Sequence, residues 1–141
     1  MMLRAFLIAA GLGQLALAAA SLAIPILLKW REETARMQPL TRQIFWTYAG
    51  YIWSFHVCFG LVSALAPEWL LDRTPLAAAV CGFIAVYWGV RLVLQFTWID
   101  RSGAPRGPLY VAAEIGLVTL FISLTAIYGA ALVSHLRSGP V

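Results

Sequence analysis

The stretch LAAAVCGFIAVYWGVRLVLQFTWI, residues 76–99, decides the fold. It is a long apolar run with a single charge, Arg91, in its second half. A bilayer core of ~30 Å is crossed by about 20 helical residues, so this run is long enough to span with some tilt. A buried strand is excluded because the run is too long and lacks alternation. Three further runs have the same character: Ala5 to Leu28, Ile44 to Ala66 and Leu109 to Val133. The whole chain, 141 residues, is 62% hydrophobic and 11% charged with a mean hydropathy of +0.83. Soluble domains carry roughly 25% charged residues, so the chain reads as one integral membrane domain, an all-α four-transmembrane-helix antiparallel bundle.

The gaps between runs carry helix boundaries. Pro39, Pro75 and Pro108 stand at or just before the starts of spans, where a missing N–H costs nothing. Thr74 is placed to cap the helix that follows it. Pro67 closes the second span, and Ser138-Gly139-Pro140 closes the fourth. The first run resembles a signal peptide in its small residues, but it continues to Leu28 and ends on Lys29, Trp30 and Arg31. It therefore reads as a retained span with an interfacial anchor. WREETARMQPLTRQ reads as a polar connector with room for a short interfacial helix.

Charge sets the expected orientation. The formal net charge is +4. Lys29, Arg31, Arg36 and Arg42 in the first loop, with Arg101 and Arg106 in the third, outnumber Arg4, Arg73 and Arg137 on the other side. The positive-inside rule then places the first and third loops in the cytoplasm and both termini outside, in a bacterial inner membrane. Trp30, Trp46 and Trp98 become belt residues on the cytoplasmic side and Trp69 on the other. No basic cluster outside the spans is interleaved with stacking aromatics, which excludes nucleic acid as a partner. The expected surroundings are lipid, with another membrane protein or a second copy as partner.

Two charges lie well inside the spans, Arg91 and Glu114. Counted from the third loop at ~1.5 Å per residue, they reach similar depths on neighbouring antiparallel helices, which predicts an Arg91–Glu114 ion pair. Gln95 and Tyr87 lie on the Arg91 stripe, with Ile84 and Trp98; Glu114 shares a stripe with Val118, Phe121, Thr125 and Tyr128. The pair reads either as a register-fixing contact or as an anchor for an anionic or amphipathic ligand. A third reading has Arg91 reaching outward to the interface.

The second span is polar on two sides. Gln43, Thr47, Tyr51, Ser54 and Cys58 form one face; Trp53, His56, Gly60 and Ser63 lie nearly opposite, and the two faces are expected to meet different helices. His56 is expected near the level of Gln14 and Tyr87, as a core histidine bonded to Gln14 or Ser54; a proton relay and a single-histidine haem site are the sharper alternatives. Gly11 and Ala18 allow close helix approach. Trp53 and Trp88 read as packing, or as walls of a quinone, lipid or pigment pocket. Cys58 and Cys81 read as small buried residues, with no metal or redox spacing.

No zinc-protease, nucleophile-elbow or phosphate-loop motif is present. The expected function is therefore a non-enzymatic accessory or partner-binding membrane subunit. The alternatives are binding or transport of an amphiphile (a quinone or lipid) at Arg91, Glu114, His56, Gln95, Tyr87 and Gln14, and an enzyme acting on a lipid or isoprenoid with His56 or Glu114 as base. The sequence names no metal ligands and no cofactor.

Overall fold

The computed structural model describes residues 1–99 and 107–138. Among them the structure is all α: α1 (Met2–Ser21), α2 (Ile24–Leu27), α3 (Trp30–Ala35), α4 (Pro39–Leu65), α5 (Pro67–Leu71), α6 (Pro75–Thr97) and α7 (Pro108–Ser138). Four helices are long and apolar enough to cross a membrane: Met2–Leu27 with its bend, Pro39–Leu65, Pro75–Thr97 and Pro108–Arg137. They form a four-helix bundle of the membrane type. Arg101, Arg106, Gly139 and Pro140, used above for orientation and for the last boundary, lie outside the described residues.

Proline sets most of the boundaries. Pro25 has no N–H to return to Ser21, so α1 ends there and Leu22 and Ala23 bond three residues back instead, to Ala19 and Ala20. The chain then turns sharply at Lys29, whose φ of 50° and ψ of 41° are left-handed, and α3 folds back toward the start of α4. Trp30 packs edge-on against Phe45 and Trp46, with centroids 5.0 and 6.1 Å away. Trp46 Nε1 donates to the buried Thr34 hydroxyl at 3.3 Å. The first loop is thus mostly helix and reaches α4 five residues earlier than the hydropathy onset at Ile44. At the other end, Ala66 leaves the helical region because a proline follows it. Thr74 caps α6, accepting from the Ala77 N–H at 3.2 Å.

The helices pair as α1 with α4 and α6 with α7, and α1 also lies against α7. Between α4 and α6 the approach is made mainly by side chains. The core consists of Leu7 and Ala10 of α1, Leu70 of α5, Cys81, Ile84 and Trp88 of α6, and Phe121, Leu124, Tyr128 and Ala131 of α7. Most of these lie in the half of the bundle nearer α5, with Trp88 and Phe121 near its middle. In α4 the buried residues are Gly60 and Ser63, again in that half. Toward α3 the buried residues are fewer, Ala18, Thr34 and Gln95 among them.

α5 closes the packed end. The Leu70 carbonyl accepts from the Cys81 thiol at 3.4 Å and shares a 2.9 Å bond with the His135 ring. Arg4 Nε donates to Glu68 Oε1 at 2.8 Å, tying α5 to the first turn of α1. Glu68 is held below the usual carboxylate range, first by its own backbone N–H and then by Arg4. A carboxyl with a depressed folded pKa contributes stability above its unfolded value, near pH 4.3, and loses it as pH falls through the folded value. Amide protection factors in residues 67–71, taken relative to the intrinsic exchange rate at each pH, are therefore expected to fall below about pH 4 in the wild type. In Glu68→Gln that acid-dependent step should be absent; an unchanged step would assign it to another group.

Candidate functional site

The centre of the packed half is a hydrogen-bonded clasp with one side chain from each membrane-length helix. Gln14 of α1, Ser63 of α4, Trp88 of α6 and Tyr128 of α7 are each 0% exposed. Gln14 Nε2 donates to the Tyr128 hydroxyl at 2.7 Å and to its own helix at Ala10 O, 3.4 Å away. Gln14 Oε1 accepts from Trp88 Nε1 at 3.1 Å. The indole, which can only donate, fixes which end of the amide is oxygen. The phenol also shares a hydrogen bond with Ser63 Oγ, in which either hydroxyl can donate. Among the described residues no buried side-chain nitrogen or oxygen lacks a partner. A polar group left unbonded in hydrocarbon would cost several kcal/mol, so full satisfaction is what makes this core tolerable.

A column of rings leads out of the clasp. His56 stacks on Trp88 (centroids 5.0 Å, 25°), and Trp88 stacks on Phe121 (5.3 Å, 25°). His56 Nε2 shares a 2.9 Å hydrogen bond with the Tyr87 hydroxyl. The histidine's partner is thus Tyr87 rather than Gln14 or Ser54. Ser54 bonds back to Gly50 O at 2.9 Å, and Gln14 is committed to the clasp.

Arg91 ends this path. Its Nη1 donates to Gln95 Oε1 at 3.0 Å, and its guanidinium carbon lies 5.1 Å from the Phe121 ring centroid. The expected ion pair with Glu114 is not formed: among the described residues the ion pair is Arg4–Glu68. The cause is helix register. A Cβ on Gly82 would touch Leu132, and one on Gly89 would touch Thr125, so α6 and α7 share a single antiparallel register. In that register Arg91 stands level with residue 123, nine residues and roughly 13 Å along α7 from Glu114. Equal depth from the third loop was the wrong measure, because α7 begins well beyond the end of α6. Glu114 lies instead on an open groove of about 270 Å³ between α6 and α7, with Phe96, Val111, Ile115, Val118 and Thr119.

Of the six residues singled out in the sequence, the structure joins Gln14 to the clasp, His56 to Tyr87 and Arg91 to Gln95. Glu114 lies elsewhere, on the groove with Phe96. Ser63 and Tyr128 were named only as stripe members and Trp88 as packing; together they complete the clasp. Their common signal is a hydrogen-bonding group on the inward face of each span, which helical periodicity shows and which pairing by depth obscures.

The two polar faces of α4 also differ from expectation. The His56, Gly60 and Ser63 face meets α1, α6 and α7 together. The face with Gln43, Thr47, Tyr51, Ser54 and Cys58 points away from the bundle and is exposed throughout. Cys58 is therefore exposed while Cys81 is buried. Trp53 is fixed to α1, donating to Ala18 O at 3.0 Å. Among the described residues no cluster of side chains is suited to a metal ion. The chain matches no known protein-family model, curated protein or solved structure.

Proposed function

We propose that the protein is a small partner-binding subunit of a membrane assembly, and that the outward face of α4 is where the partner's helix lies. The observation that carries this reading is Tyr51. It stands midway along a 27-residue membrane helix, its side chain is 61% exposed, and its hydroxyl bonds to no described residue. In hydrocarbon an unbonded hydroxyl is costly, and a neighbouring helix offering an acceptor removes that cost. Beside it the surface is low. A Cβ on Gly50 would meet nothing within 4 Å, and Ser54 and Cys58 follow one and two turns later. Small residues at this spacing let a second backbone approach closely. The same helix is the least apolar of the four, as a helix that shares its outer face with protein can be.

Cys58 makes the reading testable, because the chain's other thiol, Cys81, is buried. A short thiol-to-amine cross-linker applied to native membranes is expected to join Cys58 to one defined polypeptide. Gly50→Leu and Ser54→Leu should each reduce that adduct about tenfold while the bundle stays folded, since neither position touches another span. An adduct pattern indifferent to both substitutions would show that Cys58 meets neighbours only by collision, and the reading would fall.

A further inference from the structure

We infer that Arg91 is the headgroup anchor of a site for one anionic lipid, whose hydrocarbon tail lies along the outer surface of the seam between α4 and α6. The guanidinium is neither fully buried nor neutralised by a carboxylate of the described chain. It is nevertheless held in place, by the carbonyl oxygen of Gln95, a residue only 8% exposed, and by the face of Phe121. One edge of the fork is used by Gln95. The remaining N–H groups are free to take an oxyanion, and a planar, pre-positioned guanidinium binds phosphate or carboxylate in bidentate fashion. The Arg91 side chain turns toward Gln95, one turn nearer the end of α6 at Thr97. That brings the charge to within roughly 5 Å of the helix end, close to the height of lipid headgroups.

The tail has a matching path. Arg91, Tyr87 and Phe83 are spaced four residues apart and form one ridge of α6. Across from it α4 presents Ile52, 51% exposed, and Phe59, which meets Phe83 and Tyr87 at 6.0 and 5.7 Å. These contacts and the His56–Tyr87 bond join the two helices in a side-chain seam, and Phe83, 55% exposed, leaves its outer surface free for a chain to lie along. A charge near the membrane surface with an exposed aromatic seam running inward from it complements an oxyanion on a hydrocarbon tail. This surface is distinct from the outward face of α4, and the inference stands or falls without the partner proposed above.

The test is native mass spectrometry of the full-length chain in detergent, titrated with equal amounts of dioleoyl phosphatidylglycerol and dioleoyl phosphatidylcholine. The expected result is a single retained phosphatidylglycerol, favoured over phosphatidylcholine about tenfold, as one charge-assisted bidentate contact provides. Arg91→Gln should bring the ratio to near one, and Arg91→Lys should keep part of the preference. Arg42→Gln, an exposed arginine in the first turn of α4, should leave it unchanged. Should Arg91→Gln fail to fold, Gln95→Leu, which frees the guanidinium from its support, should still lower the ratio. A wild-type ratio near one, or a ratio indifferent to Arg91 and Gln95, overturns the inference. So does glycerol phosphate displacing the lipid at comparable concentration, because the site would then be one for a free anion.

Discussion

Gly11→Ala is expected to loosen the contact between α1 and α4, and Gly11→Leu to break it. A Cβ at residue 11 would stand 2.5 Å from the Ala64 nitrogen and 2.7 Å from the Gly60 carbonyl oxygen. Both are backbone atoms, so relief requires a helix to move rather than a side chain to rotate. Gly60 is the reciprocal half of the same crossing, its missing Cβ filled by Leu15 at 2.7 Å. Overpacking of this kind costs about 1–3 kcal/mol, and the larger side chain exceeds that range. Reversible unfolding in mixed detergent, followed by tryptophan fluorescence, should show the loss. Gly116→Ala serves as the internal comparison, since its Cβ would meet nothing within 4 Å. It should be neutral or stabilise by a few tenths of a kcal/mol through helix propensity. Equal effects at positions 11 and 116 would mean that the α1–α4 approach is not the tight one described.

Gln14→Leu is expected to be the most damaging single change in the polar core. It removes the acceptor of the Trp88 indole N–H and the donor to Tyr128 in one step. The indole has no second described partner, so its donor is orphaned in a dry interior, at a cost of about 1–3 kcal/mol. Loss of the interhelical bond to Tyr128 adds about 0.6 kcal/mol, the average for such bonds in membrane proteins, and at most about 1.7 kcal/mol. Trp88→Phe placed in the Gln14→Leu background isolates the cost of the orphaned indole. Removing the orphaned donor should return part of the stability, whereas in the wild-type background Trp88→Phe should only destabilise. A cycle of Gln14→Leu with Tyr128→Phe should show coupling of about 1 kcal/mol, and a coupling of zero would deny that the two side chains act together.

What could be read from the sequence follows from which physical signals are local. Length and hydropathy are local, so the four spans stood out, and so did the boundaries set by Pro67, Pro75 and Pro108 and by the Thr74 cap. The start of α4 at Pro39 was harder. Its first turn is polar and interfacial, and only the packing of Trp46 on Trp30 and Thr34 shows that it is helix. The Arg91–Glu114 pair failed for the opposite reason. Helix register between α6 and α7 is fixed by glycine-lined contacts such as Gly82 with Leu132 and Gly89 with Thr125, and nothing in either helix alone announces the offset. Periodicity placed Gln14, Ser63, Trp88 and Tyr128 on inward faces, but it could not tell which of several inward polar groups would meet.

The clasp also bears on how the protein is made. Its bonds join residues 114, 74 and 65 positions apart. Glycine contacts allow α1 and α4 to pack as soon as both are in the bilayer, but Gln14 and Ser63 then still face lipid. Their common partner, Tyr128, lies on α7, which leaves the ribosome after α1, α4 and α6. Biogenesis therefore passes through a stage at which these three helices are made, α7 is not, and the polar centre is incomplete. A nascent chain stalled before α7 would be a substrate for insertion chaperones or for membrane quality-control proteases.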